Sequence, residues 1–340
     1  MNEFREVVSA VFASRRFGKF FAGVELEHEG GPTLLKIASC RAVQRAPGYR
    51  FAKSSKVTEV RTSNGISGFG YGEDDVEILA LQKSIAEAVE RCAYKISRQS
   101  GLDIKNSNGW AAHLSEAKAV ESARCELFER DAALLHWLSA TPLKEINPET
   151  WPTSLKSWAT AELSLAPRFN RLRVLVSHLG LVPIVTTVIQ DSSGFGFMSQ
   201  SGAGTLERAI FKALAETCRI ADLALSGQFS RESGIPKGPE GHAQFYAFEE
   251  KIPSWLFGNS VDFSQAKATW RIKTETSKIR TDKQIYKCGP LVIARCTSQD
   301  VQNLYFGSTE AAISSGSINF ERLKSICGMK TLNLRPHFVP

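Results

Sequence analysis

The sequence predicts an α/β protein with mixed sheets, on three observations. Apolar residues recur every three or four positions along three long segments, the period of one helix face. Short apolar runs bounded by Gly, Pro and Asn surround those segments, as strands do. The 340 residues are 43% hydrophobic and 23% charged. That is enough apolar material for a large core, in one big domain or two intimately packed ones.

The elements follow in order. Residues 1–60 alternate apolar runs with turn signals, as in "GPTLLKIASCRAV" and "APGYRFA", and predict strands with one helix. The Gly-rich stretch "SNGISGFGYGEDD" (63–75) predicts a loop leading into a helix from about Val76 to Ile96. Along it Ile78, Leu81, Ile85, Val89, Cys92 and Ile96 share a face, and Asp74 and Asp75 suit the positive end of its dipole. A second loop, "NSNGWAAHLSEAK" (106–118), precedes a helix ending near Trp137, with Ser115 as its N-cap and Lys118 where a capping box would carry Glu. Residues 172–200 predict a hairpin, "LRVLVSHLG" against "VPIVTTVIQ". A third helix lies within "SGAGTLERAIFKALAETCRIADLAL" (201–225) after a third glycine-containing loop. Residues 226–285 are polar and carry no clear pattern, "GPLVIARCTS" (289–298) has the character of a buried strand, and the tail ends "LRPHFVP".

Composition excludes several classes. The N-terminus lacks a positive segment followed by an apolar one, and no apolar run approaches the roughly 20 residues that span a bilayer. Seven cysteines, an odd number without a C-x-x-C pair, indicate neither a zinc ribbon nor a disulfide framework, and free thiols suit a reducing compartment. The expectation is a cytoplasmic protein with no membrane partner. The net charge of +7 is scattered, and "RRFGK" and "RIKTETSKIRTDK" are interrupted patches, so no nucleic-acid partner is expected. "VQNLYFGST" resembles a protease-tag sequence but reads as native after a strand. His113, His136, Cys125, Cys218, Phe128 and Trp137 neighbour or occupy the motif segments and read as packing residues.

One spacing repeats. The first helix carries Lys83-x3-Glu87-x2-Glu90-Arg91, the second Ser122-x3-Glu126-x2-Glu129-Arg130, and the third Lys212-x3-Glu216-x2-Arg219. Residues at i, i+4 and i+7 lie along one helix face. Each helix thus offers a polar group and one or two carboxylates in a row. Carboxylates gathered in a partly buried place need cations, and hard oxygen donors suit Mg²⁺ with nucleotide phosphates. No E-x-x-H unit occurs on these helices, which argues against a di-iron bundle; Glu25-x2-His28 stands alone in another setting. Arg91 and Arg130 either balance the carboxylates or bind phosphate oxygens. A lone E-x-x-E-R is an ordinary solvated face. Two copies in phase among Ala86, Ala88, Ala123 and Cys125 favour a site more strongly, but spacing alone leaves both readings open.

"GWAAHLSEAKAVESARCELFERDAALLHW" resembles the core motif of the YcaO superfamily, a loop and E-A pair leading into a helix with E-x-x-E-R-D. "SNGISGFGYG…LALQKSIAEAVERC" resembles its earlier motif and "AIFKALAETCRI" its third helix. The resemblance covers about residues 60–225. It implies a single YcaO-type domain over 1–340, in which 226–340 completes the fold. Carboxylate-bearing helices would surround an internal ATP cleft, with a degenerate internal repeat. The implied activity is an ATP- and Mg²⁺-dependent cyclodehydratase acting on backbone amides of a ribosomally made, bacteriocin- or microcin-like peptide. There a Cys, Ser or Thr side chain attacks the preceding carbonyl, and the phosphorylated amide oxygen leaves as phosphate, giving a thiazoline or oxazoline. An amide oxygen is a poor nucleophile and leaving group, so the reaction needs a metal-clamped, charge-neutralised polyphosphate.

Carried over by the resemblance, Glu87, Glu90, Glu126 and Glu129 are the Mg²⁺ ligands. Asn108 and Glu116 approach the nucleotide, as do Ser63, Asn64 and Gly65 of the first loop. Glu216 and Arg219 contact phosphate or metal, Glu87 serves the nucleotide as well, and Arg130 and Arg91 are structural or phosphate partners. Two departures stand out: Lys83 replaces the usual Ser, where its charge would meet phosphate or fill space, and the first loop lacks a G-K-G. The tail "RPHFVP" resembles a reduced form of the proline-rich tail of azoline-forming members, which places Pro340 and His337 as catalytic candidates, His337 for proton transfer. The expected partners are the precursor peptide, a separate leader-binding protein (the chain is too short to include that domain) and a flavin dehydrogenase, with this chain a homodimer within the complex. The alternatives are a thioamide- or macroamidine-forming relative and a non-catalytic nucleotide-binding scaffold.

Overall fold

The structure is a computed structural model and describes residues 20, 22–28, 31–100, 107–179, 182–229, 234–273, 279–328 and 331–338. In chain order the elements begin with β1 (Val24–Glu27), β2 (Thr33–Ala42), β3 (Ser54–Thr62), β4 (Ser67–Asp74), α1 (Glu77–Gln99), β5 (Trp110–His113) and α2 (Glu116–Leu138). There follow β6 (Leu143–Ile146), α3 (Thr153–Ala161), β7 (Arg171–Val176), β8 (Ile184–Gln190), β9 (Gly196–Gly202) and α4 (Leu206–Leu225). The last part holds α5 (Pro239–Phe248), β10 (Phe257–Val261), α6 (Phe263–Lys273), β11 (Asp282–Cys288), β12 (Leu291–Thr297), α7 (Thr309–Ser314) and α8 (Phe320–Cys327). The chain divides into two compact units. The first takes the described residues of Met1–Gln44, Ala52–Arg124 and Thr281–Thr297; the second takes those of Arg45–Phe51, Cys125–Arg280 and Ser298–Pro340.

In the first unit the stretch expected as a Gly-rich loop is a hairpin and a strand. Gly65, at φ +86°, closes the turn, its N–H donating to the Thr62 carbonyl at 3.2 Å. From Ser67 the chain runs as β4, paired antiparallel with β3. Its glycines fall at every second position, so Gly68, Gly70 and Gly72 share one side of the pleat. That side meets the backbone of α1: a Cβ on Gly70 would lie 2.1 Å from the Ser84 carbonyl oxygen, and one on Gly72 1.8 Å from that of Ala80. The glycines therefore let helix and strand pack backbone to backbone. The seven-stranded sheet runs β4-β3-β2-β1-β11-β12-β5. Leu81, Ile85, Val89, Cys92 and Ile96 of α1 are buried on it with Leu26, Leu35, Val60, Trp110 and Ile293. This is the apolar face that the helical period predicts, with Ile78 half-buried at its edge.

The second unit is built on a mixed five-stranded sheet, β10-β6-β7-β8-β9, in which β10 pairs parallel with β6 and the other pairs are antiparallel. The expected hairpin is β7 and β8, continued by β9. Alternate residues point to opposite faces. Val174, Val185, Ile189 and Phe197 pack with Ile210, Leu214 and Cys218 of α4. Leu175, Val188 and Met198 pack with Leu134, Leu135, Trp137 and Leu138 of α2. The sheet thus lies between the two motif helices of this unit. Asp131 of the "ERD" run is buried and takes the Arg322 guanidinium on α8, and it also accepts the Gln302 N–H at 2.8 Å. Leu304 and Tyr305 of "VQNLYFGST" are core residues, in keeping with a native segment.

The tail is anchored through its backbone. Trp137 Nε1 donates to the Arg335 carbonyl (2.9 Å), Tyr246 Oη to that of Pro336 (2.7 Å), and His242 Nδ1 to that of His337 (2.7 Å). Gly307 N–H donates to His242 Nε2 at 3.1 Å, which fixes the His242 proton on Nδ1. All seven cysteines are free, and no described helix is long and apolar enough to cross a membrane.

Candidate nucleotide and metal site

Each motif helix folds its arginine back on its own carboxylate. Arg91 lies 3.5 Å from Glu87, Arg130 3.5 Å from Glu126, and Arg219 3.3 Å from Glu216. In these i,i+4 and i,i+3 pairs each arginine balances a carboxylate of its own helix. The repeated spacing is thus a repeated local structure as well.

In the first unit Glu87 and Glu90 line a cavity of about 460 Å³ together with Lys83, Gln82, Tyr71 and His113. Its apolar wall includes Leu79, Ala86, Ala111, Leu114 and Leu291, and Ser122 of α2 completes the lining. That size and mixed lining suit a small-molecule site. Tyr71 N–H on β4 donates to Glu87 Oε2 at 2.7 Å, so the strand edge aims this carboxylate. Lys83 donates to Asp74 Oδ2 (2.8 Å) and to the Glu73 carbonyl (2.9 Å) at the rim. Burial pushes the Asp74 carboxyl up, but the Lys83 and Val76 hydrogen bonds outweigh it and hold Asp74 below the usual range. His113 Nδ1 accepts the Ser115 N–H at 3.2 Å, which leaves the neutral ring its proton on Nε2.

In the second unit Glu129 is 9% exposed, and Gly202 N–H donates to its Oε2 at 2.6 Å. Burial pushes its pKa up to about 7, against the lowering charges of Lys212 and Arg130 and with a further upward push from Glu216. Glu126 and Glu216 are half-buried. The unit thereby collects Glu126, Glu129, Glu216, Arg130, Arg219 and Lys212 on α2 and α4.

The other expected residues lie elsewhere. Ser63, Asn64 and Gly65 form the exposed tip of the β3–β4 turn and do not line the cavity. Asn108 is buried just before β5, and Glu116 is exposed at the start of α2, 3.4 Å from Lys283. His337 is fully buried, with Nε2 2.6 Å from the Tyr305 carbonyl oxygen and its ring stacked 4.2 Å from that of His242. That setting anchors the tail. Pro340 lies outside the described residues. Tyr71, His113 and Gly202 are the contributors that motif reasoning passes over, because two act through main-chain N–H groups that no side chain announces.

Among the described residues no group of three or more His, Cys, Asp or Glu is arranged as a ready-made metal centre. Mg²⁺ commonly takes one or two protein carboxylates and fills its octahedron with waters and phosphate oxygens. Glu87 and Glu90 beside a cavity with a lysine at its rim are a donor set of that kind.

A family model described as YcaO cyclodehydratase, ATP- and Mg²⁺-binding, matches residues 86–278. The fold resembles YcaO from Methanopyrus kandleri bound with AMPPCP and Mg²⁺, at 13% identity over 93% of each chain with a TM-score of 0.58. It also resembles a heterocyclase in complex with substrate and cofactor, at 12% identity and a TM-score of 0.54 over 78% of this chain. This chain spans 50% of that heterocyclase's length. No curated protein matches the sequence. The family match covers more than half of the chain and joins the motif helices to the surrounding fold, so the chain belongs to the YcaO family, whose cofactors are ATP and Mg²⁺.

Proposed function

We propose that this protein is an ATP- and Mg²⁺-dependent cyclodehydratase that forms thiazoline or oxazoline rings in a ribosomally made peptide. The observation that carries the reading is the cavity lined by Lys83, Glu87 and Glu90, on a helix of the matched family. Glu87, Glu90, Glu126 and Glu129 hold Mg²⁺, Glu216 and Arg219 serve phosphate or metal, and Asn108 and Glu116 serve the nucleotide. Bound ATP supplies a phosphoryl group for the amide oxygen, which then leaves as phosphate while the Cys, Ser or Thr side chain closes the ring. This chain's residues do the holding: the arginines of α1, α2 and α4 pair with the carboxylates of their own helices, and Tyr71 N–H fixes Glu87. Catalysis then rests on positioning and electrostatics. The partners are the precursor peptide, a separate leader-binding protein and a flavin dehydrogenase that oxidises azoline to azole.

The test incubates the purified protein with leader-binding partner, precursor and Mg-ATP, and reads intact mass. Loss of one water per ring, with ADP and phosphate formed, is the expected result. Exchange of oxygen for sulfur in the product would replace the ring-forming reading by a thioamide-forming one. ATP binding without turnover in the full mixture would contradict an enzymatic role.

A further inference from the structure

Glu129 is gripped at two points by the end of one strand. Gly202, the last residue of β9, donates its N–H to Glu129 Oε2 at 2.6 Å. Two residues earlier, Gln200 donates its side-chain amide to the Glu129 main-chain carbonyl at 2.5 Å, and Gln200 is itself held by Thr186 Oγ1 at 2.9 Å. From α4, Lys212 Nζ donates to the Gly202 carbonyl at 3.1 Å. The Gly202 peptide therefore joins the two motif helices of this unit, giving its N–H to an acid on α2 and its carbonyl to a base on α4. A Cβ at position 202 would lie 3.2 Å from the Cys125 carbonyl oxygen, 3.3 Å from Val182 Cγ2 and 3.5 Å from Glu129 Cβ. The backbone of Gly202 is not in the left-handed region, so its lack of a side chain serves this close approach rather than a turn. Even a methyl group would press α2 away from the strand by a few tenths of an ångström, which lengthens and bends the short hydrogen bond that aims the carboxylate.

We propose that Gly202 is a positioning residue for Glu129: the missing side chain lets α2 approach β9, and the Gly202 N–H then orients the carboxylate toward a cation. The proposal rests on Glu129 as an Mg²⁺ ligand. Groups that orient a ligand are worth about 10–100-fold in metal affinity. A fixed carboxylate also meets the cation without losing rotational freedom on binding.

The experiment titrates a non-hydrolysable ATP analogue at a series of Mg²⁺ concentrations into wild type, Gly202→Ala, Glu129→Gln and the double variant. In Gly202→Ala the half-saturating Mg²⁺ concentration is expected to rise on the order of tenfold. Added to Glu129→Gln, the same substitution is expected to produce no further rise, because the effect runs through that carboxylate. An equal rise in both backgrounds would reduce Gly202 to general packing and overturn the proposal, as would no rise at all. If Gly202→Ala fails to fold by circular dichroism, Gln200→Met, which removes the second grip, carries the same cycle with the same expectations. A wild type that binds no analogue with Mg²⁺ would overturn the functional reading itself, an outcome distinct from either.

Discussion

Burial pushes the Glu129 carboxyl up to about 7, and folding is linked to that proton. An unfolded glutamate titrates near 4.5, so between 4.5 and 7 the folded protein binds more protons than the unfolded chain. Stability from this group is therefore fully present below about 4.5 and is lost as pH rises through about 7. The shift corresponds to about 3 kcal/mol at pH 8. Glu129→Gln keeps a neutral acceptor for the Gly202 N–H and removes the titration. Denaturation in metal-free buffer should show the variant gaining about 2–3 kcal/mol on the wild type between pH 5 and pH 8. Parallel pH profiles for the two proteins would place the proton elsewhere. Residue-level chemistry of this kind was only half legible in the sequence. The E-x-x-E spacing announces the carboxylates, because helical periodicity fixes which side chains share a face. It does not announce the Gly202 N–H or the Tyr71 N–H that aim them, since a main-chain donor looks the same in every residue.

At the scale of elements, the helices were the most legible. The buried face of α1 is the row of Leu81, Ile85, Val89, Cys92 and Ile96 that the period selects. The hairpin of β7 and β8 was equally plain from its β-branched runs. The β4 strand was not, because glycine-rich composition ordinarily signals a loop. What distinguishes it is the placement of glycine at every second residue, which clears one side of the pleat for a helix. Gly70→Ala would set a Cβ 2.1 Å from the Ser84 carbonyl oxygen and 2.3 Å from the Ala88 nitrogen, both helix backbone. Neither can yield as a flexible side chain would, so the expected cost is about 3 kcal/mol or more. The measurement is chemical denaturation; a loss below about 1 kcal/mol would mean that α1 and β4 separate easily. The segment 226–285 resisted reading for another reason. Its elements are short, and α5 buries the polar His242 and Gln244; the partners of His242, the His337 carbonyl and the Gly307 N–H, lie far off in sequence.

At the scale of the whole molecule, the α/β class and the mixed sheet were legible because apolar runs and turn residues alternate along most of the chain. The strand order was not. The sheet of the first unit takes β11 and β12 from near the end of the chain and sets them between β1 and β5, and no local signal predicts such a pairing. The same distance effect hid the fate of the tail, where Trp137, Tyr246 and His242 take three successive carbonyls in a way that no terminal motif displays.

The central claim is that the helix-borne glutamates bind Mg²⁺ together with ATP. Its most direct test is equilibrium binding of a non-hydrolysable ATP analogue, with and without Mg²⁺, to wild type, Glu87→Gln and Glu126→Gln. The account predicts binding that requires Mg²⁺ in the wild type and weakens about tenfold or more in each variant. Binding of equal strength with and without Mg²⁺, or binding unchanged in both variants, would contradict it.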